Sequence, residues 1–305
     1  MKCLFIINRS SGKQNIENTL KEIIAQLVME QLCPEIDVFY TGGKDDAKNR
    51  ALALQKGEYD FVVAVGGDGT LNEVTNGLVC SGSDIPMAVI SAGTVNDFAT
   101  YMKLPQNAEE FCRMIRDFKT TKVDVGKVDD EYFINVLAAG LLTDVAYKVP
   151  KNRKAVMGKM AYYLECLREL PAQLNRFIPL RFESEEFSST EEVLVFLVAN
   201  TKSVGGFPNA APDASVQDGL LDVLICKKAN MLFEAPDLIM KILQGNHPKH
   251  GAVEYFQTRE LNIYPGDDSG AAEQLSLDYD GEILDGSLPV HISIVPQALT
   301  LLISE

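Results

Sequence analysis

The sequence predicts an N-terminal doubly wound α/β domain followed by a mostly antiparallel β-sandwich domain. As far as Asp124, apolar runs of strand type alternate with helical patterns, which is typical of a parallel sheet covered on both faces. After Asp124, β-rich runs follow one another with few helical patterns between them, which favours an antiparallel sandwich. We therefore place the domains at 1–124 and 125–298, with 299–305 packing back on the first domain.

Composition narrows the functional classes. The 305 residues include 28 basic and 43 acidic ones, for a net charge of −15, which argues against a protein that neutralises nucleic-acid phosphates. No stretch approaches the roughly 20 apolar residues of a membrane span, and the N-terminal apolar run is too short for a signal peptide. Six scattered cysteines without a C-x-x-C pair suit reduced thiols, so we expect a cytoplasmic protein.

Four strands are predicted in the first domain, and each runs into a polar turn. The strands are Cys3–Ile7, Ile36–Tyr40, Phe61–Val65 and Pro86–Ile90, and the turns after them are Asn8–Lys13, Thr41–Gly43, Gly66–Thr70 and Ser91–Phe98. In a doubly wound sheet, ligands bind at the carboxyl ends of the strands. These turns are therefore the candidate binding edge.

The third turn carries the strongest signal. Gly66, Gly67 and Gly69 surround Asp68, and apolar residues then recur at helical spacing. Such glycines let a backbone approach a ligand, and a helix start presents N–H groups to an anion. Asp68 would repel a bare phosphate, so a nucleotide with Mg²⁺ fits best. A structural βα turn with Asp68 as N-cap is the alternative interpretation.

G-G-D-G-T followed by Asn72-Glu73 resembles the signature of diacylglycerol kinases, sphingosine kinases and, more loosely, NAD kinases. The first turn is similar to the N-P-x-[SA]-G turn of these kinases, with Arg9 in the place of proline, although such a turn by itself is more often structural. The resemblance implies that the strand ends hold ATP through a set of turn residues: Asn8, Ser11, Gly12, Thr41, Gly66, Gly67, Asp68, Gly69, Thr70, Asn72, Glu73, Thr94 and Asn96.

The turn after the fourth strand, from Ser91 to Asp97, is similar to the P-x-G-T-x-N-D segment of the lipid kinases. Asp97 and Asp68, at neighbouring strand ends, could together hold a hydrated Mg²⁺, with Asp124 as a third member. Asp97 as a plain helix N-cap explains the same residues equally well.

The second domain is predicted from short β-rich runs interrupted by two helical stretches, Met157–Leu170 and Leu232–Leu243. The predicted strands are Phe133–Val136, Leu180–Phe182, Val193–Ala199, Leu221–Cys226, Glu260–Tyr264, Leu275–Tyr279 and Val290–Val295.

Two Asp-Gly turns of this domain are candidate sites. Oxygens of Ser215, Asp218 and Leu220 have the compact spacing of a loop around a hard cation, although an Asp-Gly hairpin explains them too. The resembled kinases carry a structural Mg²⁺ in a D-G-x-[LF]-x-[VL] loop, which favours the metal. In Asp280-Gly281-Glu282, also a hairpin by default, the resemblance implies carboxylates that act with Asp68 in catalysis, with Glu282 regarded as general base and Asp280 as the alternative proton acceptor.

The segment Lys148–Lys159 holds five basic residues and no acidic one. It leads into Met160–Leu164, so a basic amphipathic element at a lipid surface and a solvated helix face are equally supported.

The resemblance spans nearly the whole chain and implies an ATP-dependent kinase that phosphorylates the hydroxyl of diacylglycerol to give phosphatidic acid, with ATP and Mg²⁺, at the cytosolic membrane face. The alternatives are a kinase of phosphatidylglycerol or a sphingoid base, an NAD kinase, and a nucleotide-binding regulator outside enzymes. The partners we expect are the lipid at the membrane surface and ATP, without nucleic acid; the sequence leaves open whether the protein forms a homodimer.

Overall fold

The structure, a computed structural model, describes most of the chain. The described residues are 1–10, 15–93, 96–140, 177–228, 234, 237–238, 240–241, 244–267, 275–284 and 288–304. The chain divides into two compact units, which are considered separately below. Unit 1 comprises Met1–Val125 and Pro296–Glu305, and unit 2 comprises Gly126–Val295.

Unit 1 is built on a parallel sheet in which β1 lies between β2 and β3, and β4 lies beyond β3. The end of the long strand β15 adds to this sheet in parallel, with Leu301 opposite Met87. The strands that begin in unit 1 are β1 (Lys2–Ile7), β2 (Glu35–Tyr40), β3 (Phe61–Gly66), β4 (Met87–Ser91) and β5 (Thr120–Val128). The four strands predicted for this sheet are confirmed, with ends that differ by at most one residue.

Helices cover both faces of this sheet. Side chains of a β-strand alternate between its two faces, and the continuous apolar run of β3 has every residue buried because both faces are covered. On one face, Phe5 and Val63 pack with Leu20, Leu27 and other residues of α1, and with residues of α5. The helices of unit 1 are α1 (Asn15–Met29), α2 (Asp46–Leu52), α3 (Asp68–Ser81), α4 (Asp97–Tyr101) and α5 (Ala108–Asp117).

Unit 2 is antiparallel, which confirms the predicted β-sandwich class. Strand β9 is its longest complete strand and pairs with β7, β8 and β10, while β12 joins β8 to the first residues of β15. The remaining strands are β6 (Glu131–Phe133), β7 (Val136–Gly140), β8 (Ile178–Glu183), β9 (Ser188–Ala199), β10 (Leu221–Lys227), β11 (Val253–Thr258), β12 (Glu260–Pro265), β13 (Leu277–Tyr279), β14 (Glu282–Ile283) and β15 (Val290–Leu302).

Unit 2 differs from the sequence prediction at two places in its strands. The single strand predicted at Phe133–Val136 is wrong, because β6 ends at Phe133 and β7 begins at Val136. Strand β11, which the sequence analysis missed, pairs with β10 along its whole length. The helix predicted at Met157–Leu170 lies outside the described residues, as does much of the one predicted at Leu232–Leu243.

Candidate functional site

The strand order of unit 1 creates a topological switch point between β1 and β3. The chain passes from β1 to β2 on one side and returns to β3 on the other. In open α/β sheets, ligands bind in the crevice outside the carboxyl ends of the strands at this point. The turns that begin at Asn8 and at Gly66 flank that crevice.

A hydrogen bond from Asn8 connects the turn after β1 to the turn after β3. Its amide Nδ2 donates to Thr70 Oγ1 over 3.0 Å, and its Oδ1 accepts from the backbone N–H of Ser10, also over 3.0 Å. The backbone N–H of Asn8 donates to Val65 O over 2.9 Å. Asn8 therefore sets the shape of the turn after β1, while the predicted contacts at Ser11 and Gly12 lie outside the described residues.

Glycines let the turns after β3 and β4 close on each other. A Cβ on Gly93 would lie 2.9 Å from Gly67 Cα and 2.6 Å from Asn96 Oδ1, and a Cβ on Gly66 would lie 2.4 Å from Thr70 Oγ1. Side-chain atoms essentially never come so close, so backbone packs on backbone here. Gly93 thus lets its turn pack directly on Gly67, while Gly66 leaves room for the Thr70 side chain within its own turn.

Asp68 joins these two turns. Its Oδ2 accepts the backbone N–H of Asn96 over 3.1 Å. Asp68 and Gly69 lie in the first turn of α3, and the N-cap is Gly67, so the interpretation of Asp68 as N-cap is wrong. The carboxylate is thus held beside the helix end at which an anion would meet unpaired backbone N–H groups.

Asn96 closes its own turn. Its Oδ1 accepts from Gly93 N and its Nδ2 donates to Gly93 O, each over 3.0 Å. Asn96 is also the N-cap of α4, with φ of +52° in the left-handed region that asparagine tolerates. The interpretation of Asp97 as the N-cap is therefore wrong, and Thr94 lies outside the described residues.

Asn72 and Glu73, the residues that follow G-G-D-G-T, are engaged inside unit 1. The buried Asn72 accepts from the side chain of Asn76. The Glu73 carboxylate accepts backbone N–H groups of Asp45, over 3.2 Å, and of Ala47, over 3.0 Å, so it caps the start of α2. Burial raises the pKa of the Glu73 carboxyl, an effect that these N–H donors partly offset. Their implied contacts with a nucleotide stay predictions.

Thr41 lies at the end of β2, and its backbone N–H donates to Ile7 O over 3.0 Å. The residue before it, Tyr40, carries a contact that the sequence analysis missed. The Arg9 guanidinium lies 3.8 Å from the centroid of the Tyr40 ring. The sequence signal for this contact is an arginine directly after β1, but the sequence does not show that its partner, Tyr40, lies at the end of the neighbouring strand β2.

Asp97 and Asp124 are both buried. Asp97 begins α4, and Asp124 on β5 accepts the backbone N–H of Gln297 over 2.8 Å. Within the described ranges, no three acidic, histidine or cysteine side chains come close enough together to hold a metal ion. A magnesium ion at Asp68, Asp97 and Asp124 would thus have to be bound largely through water and phosphate oxygens.

In unit 2, Asp280 is anchored in the backbone. Asp280 and Gly281 connect β13 to β14 with φ of +52° and +92°, the conformation of a two-residue hairpin turn. The Asp280 carboxylate accepts backbone N–H groups from Ile134 over 2.6 Å, Asn135 over 3.0 Å and Val136 over 2.9 Å. Ile134 and Asn135 form the break between β6 and β7, and Val136 begins β7, so Asp280 holds the segment that the sequence predicts as one strand.

Glu282 differs from Asp280 in this turn. It is the first residue of β14, is partly exposed, and lies opposite Tyr279 in the hairpin. A carboxylate that already accepts three buried backbone N–H groups is poorly suited to exchange protons with a substrate, because a proton would displace one of those donors. Of the two acids in D-G-E, the geometry therefore favours Glu282 as a proton acceptor.

The candidate metal positions in the loop before β10 offer only oxygen atoms as ligands. Asp218 Oδ1 accepts the backbone N–H of Leu220 over 3.0 Å, and Ser215 Oγ accepts that of Gln217 over 3.3 Å. Burial, together with the negative charges of Asp218 and Asp213, raises the pKa of the Asp222 carboxyl to about 6, although hydrogen bonds from Tyr255 and Gln257 lower it in part. The loop thus concentrates negative charge, and its hydroxyl, carboxylate and carbonyl oxygens are ligands that suit a hard cation.

A network around Tyr255 supports this loop and was not visible in the sequence. The Tyr255 hydroxyl donates to Asp222 Oδ1 and accepts the backbone N–H of Asp213 over 3.2 Å. Gln257 Nε2 donates to Asp222 Oδ2 over 3.2 Å. Neighbouring strands β10 and β11 thereby fix the start of the loop.

The basic segment Lys148–Lys159 lies outside the described residues. In the part of the chain that the structure describes, no helix has the length and apolar character needed to cross a membrane.

Comparisons with known proteins agree with the division of the chain into an α/β unit and an antiparallel β unit. Residues 2–128 match the diacylglycerol kinase catalytic domain, and residues 135–303 match the YegS C-terminal NAD kinase beta sandwich-like domain. These matches define a lipid kinase with a catalytic α/β domain and a β-sandwich domain.

Two relatives and one solved structure extend the match over the chain. A diacylglycerol kinase of Staphylococcus haemolyticus is 36% identical over 95% of this chain and 84% of its own length, and one of Bacillus subtilis is 33% identical over 93% and 90%. A crystal structure of a diacylglycerol kinase from Bacillus anthracis has a TM-score of 0.79 at 25% identity, covering 99% of this chain and 97% of its own. The chain belongs to the diacylglycerol kinase family.

Proposed function

We propose that this protein transfers the terminal phosphate of ATP to the free hydroxyl of diacylglycerol and so makes phosphatidic acid. The observation that carries the proposal is the junction of two turns in unit 1, where Gly67 meets Gly93 and Asp68 bonds to Asn96. That junction lies beside the switch point of a sheet in a chain of the diacylglycerol kinase family.

In this mechanism, the start of α3 binds the phosphates. Backbone N–H groups in the first turn of this 14-residue helix have no partner within the helix and attract an anion. Asp68 and Asp97 would hold Mg²⁺ through water, and Asp124 would support them. When bound, Mg²⁺ neutralises charge on the transferring phosphate and fixes its orientation. Asp68 itself is positioned by its bond to the neighbouring turn.

Glu282 is the general base of the proposed reaction. Its carboxylate would take the proton of the lipid hydroxyl as that oxygen attacks the terminal phosphorus, the bond to the bridging oxygen breaks and ADP leaves. Asp280 supports this role by anchoring the hairpin through three backbone bonds, which leaves the proton transfer to Glu282. We assign Asp280 to positioning and Glu282 to chemistry.

A second, structural Mg²⁺ would be held by Ser215, Asp218 and Leu220. The oxygen-only donor set and the acidic surroundings of the loop support this assignment. The ion would fix the loop before β10 and would take no part in transfer.

The lipid acceptor places the reaction at a membrane surface, so we propose a cytoplasmic protein that binds the inner membrane face peripherally. The basic segment Lys148–Lys159 is our candidate for that contact. Reversing the charges of Lys151, Arg153 and Lys154 should weaken binding to anionic vesicles and leave ATP affinity unchanged. Unchanged vesicle binding would remove the segment from the proposal.

A transfer screen tests the proposed function. Purified protein is given radiolabelled ATP, Mg²⁺ and one acceptor at a time: diacylglycerol, phosphatidylglycerol, sphingosine or NAD. We expect label in phosphatidic acid and none with a Glu282→Gln control. Preferred labelling of phosphatidylglycerol, sphingosine or NAD would overturn the substrate assignment. If ATP binds but no acceptor is labelled, the protein is a nucleotide-binding regulator and the enzymatic proposal is wrong.

A further inference from the structure

We propose that the Arg9 guanidinium binds the phosphate chain of the nucleotide and is an anion-binding residue of the site. This inference rests on the proposed use of ATP and deepens it. Arg9 stands where the kinases that the sequence resembles carry proline, so the contact would be a feature of this chain.

The first argument is position. Arg9 directly follows Asn8, whose side chain donates to Thr70 Oγ1 in the first turn of α3. It is therefore the second residue of the turn that flanks the crevice between β1 and β3. Its guanidinium lies over Tyr40, next to Thr41 at the end of β2, so it would meet a phosphate chain that extends from the start of α3 across the end of β1.

The second argument is preorganisation. The guanidinium lies 3.8 Å from the centroid of the Tyr40 ring, and Tyr40 is itself anchored at the end of β2, next to the bond from Thr41 N to Ile7 O. An arginine stacked on an aromatic face keeps its N–H groups in the plane of the guanidinium, where they remain available to an anion. Tyr40 thus holds the cation at the edge of the site before a ligand arrives.

The third argument is charge. Four of the other five arginines among the described residues form ion pairs with glutamates, Arg259 being the exception: Arg50 with Glu58, Arg113 with Glu109, Arg116 with Glu30 and Arg181 with Glu183. Arg9 has no carboxylate partner among the described residues. The turns Gly66–Thr70 and Ser91–Asp97 contain no lysine or arginine but include Asp68 and Asp97. A triphosphate bound at these turns needs a cation from elsewhere, and Arg9 has the bidentate donor geometry that phosphate favours.

Equilibrium binding to the full-length protein tests this assignment. Isothermal titration with ATP and with adenosine, in buffer with Mg²⁺, compares the wild-type protein with Arg9→Ala, Arg9→Lys, Tyr40→Phe and Tyr40→Ala. Arg113→Ala is the matched control, because it removes one exposed arginine from the same unit. Circular dichroism and thermal melting verify that each variant is folded.

We expect Arg9→Ala to weaken ATP binding about tenfold, the effect of one charge-assisted contact, and to leave adenosine binding unchanged. Arg9→Lys should lose part of the ATP affinity, since it keeps the charge without the planar fork. Tyr40→Ala should weaken ATP binding less than Arg9→Ala, and Tyr40→Phe should behave as wild type because the ring remains. Arg113→Ala should not change either affinity.

Several results would overturn the inference. If Arg9→Ala is folded and binds ATP like the wild type, the stack on Tyr40 is surface packing alone. If ATP and adenosine lose affinity equally, Arg9 contacts the nucleoside and the phosphate assignment is wrong. If the wild type binds no ATP at all, the proposed function fails together with the inference. Normal ATP binding by wild type and by Arg9→Ala contradicts only the role of Arg9.

Discussion

Two acid-glycine turns, one in each unit, use the same residue types for different purposes. In unit 1, Asp68 begins a helix and bonds to Asn96 in the next turn. In unit 2, Asp280 occupies a tight hairpin and accepts three successive backbone N–H groups from Ile134, Asn135 and Val136. The comparison teaches that an Asp beside a Gly acquires its role from where its backbone donors lie: in a neighbouring turn for Asp68 and in residues 134–136 for Asp280.

The glycines of the two turns are also required for different reasons. Gly93 is required because two backbones approach each other, and a Cβ there would lie 2.9 Å from Gly67 Cα in the neighbouring turn. Gly281 is required because φ is +92°, while a Cβ there would meet no atom within 4 Å. The first requirement is spatial and belongs to the binding edge, whereas the second is conformational and belongs to the hairpin.

The largest effect that we expect is on Glu282. Glu282→Gln removes the proposed base without changing the size of the side chain, and phosphate transfer to diacylglycerol should fall by about 10³-fold or more. The ATP affinity should stay close to wild type, because the base acts on the acceptor. Transfer assays under initial-rate conditions measure this. Turnover near the wild-type rate would show that the chemistry in D-G-E is not performed by Glu282.

The next effect concerns Asp68. Asp68→Asn keeps an oxygen that can accept from Asn96 but removes the charge that would hold a hydrated Mg²⁺. We expect kcat to drop by about 10²-fold to 10³-fold, comparable to the loss of one electrostatic contact in an active site. Raising the Mg²⁺ concentration should recover part of the activity. Asp117→Asn, an exposed residue of α5, is the matched control, and an equal loss there would contradict a specific role of Asp68.

Asp280→Asn should separate positioning from chemistry. The new amide cannot accept with both of its ends, so at least one of the three backbone N–H groups loses its acceptor at about 1–3 kcal/mol. We expect a lower midpoint of denaturant unfolding, together with a loss of activity smaller than that of Glu282→Gln. The exposed Glu186→Gln is the stability control. An unchanged unfolding midpoint would mean that the three bonds contribute little to the fold.

The smallest effect is a pH dependence in unit 2. His247 is buried, and its Nε2 lies 2.8 Å from Ala210 O. Burial lowers its pKa below the usual 6.5, so the native state binds this proton less readily than the unfolded state. The stability from the neutral ring is therefore fully present above pH 6.5 and is lost as the pH falls below it.

Melting temperatures between pH 5 and pH 8 would test this. His247→Gln keeps a donor for Ala210 O and should flatten the acidic part of the profile. The exposed His291→Gln should keep the wild-type slope. Identical slopes for all three proteins would exclude His247 as the titrating group.

The sequence predicted much of the binding edge because its signals are local. Apolar runs bounded by glycine turns located β1 to β4, and G-G-D-G-T located the start of α3 within one residue. Local patterns failed where a distant group decides the conformation. Phe133–Val136 has the composition of one strand, but its backbone turns to Asp280, which is 144 to 146 residues away from the three donors.

By itself, the sequence determined the two classes of architecture, the order of the strands along the chain and the turns that carry the acids, since hydrophobic periodicity and glycine placement act over a few residues. Only the tertiary structure decided which of those polar groups form hydrogen bonds or contacts within the protein. Glu73 caps α2, Asn96 closes on Gly93, and Arg9 rests on Tyr40. Each of these roles depends on a partner from another element, because a buried polar group must find its hydrogen bond wherever the folded chain supplies one.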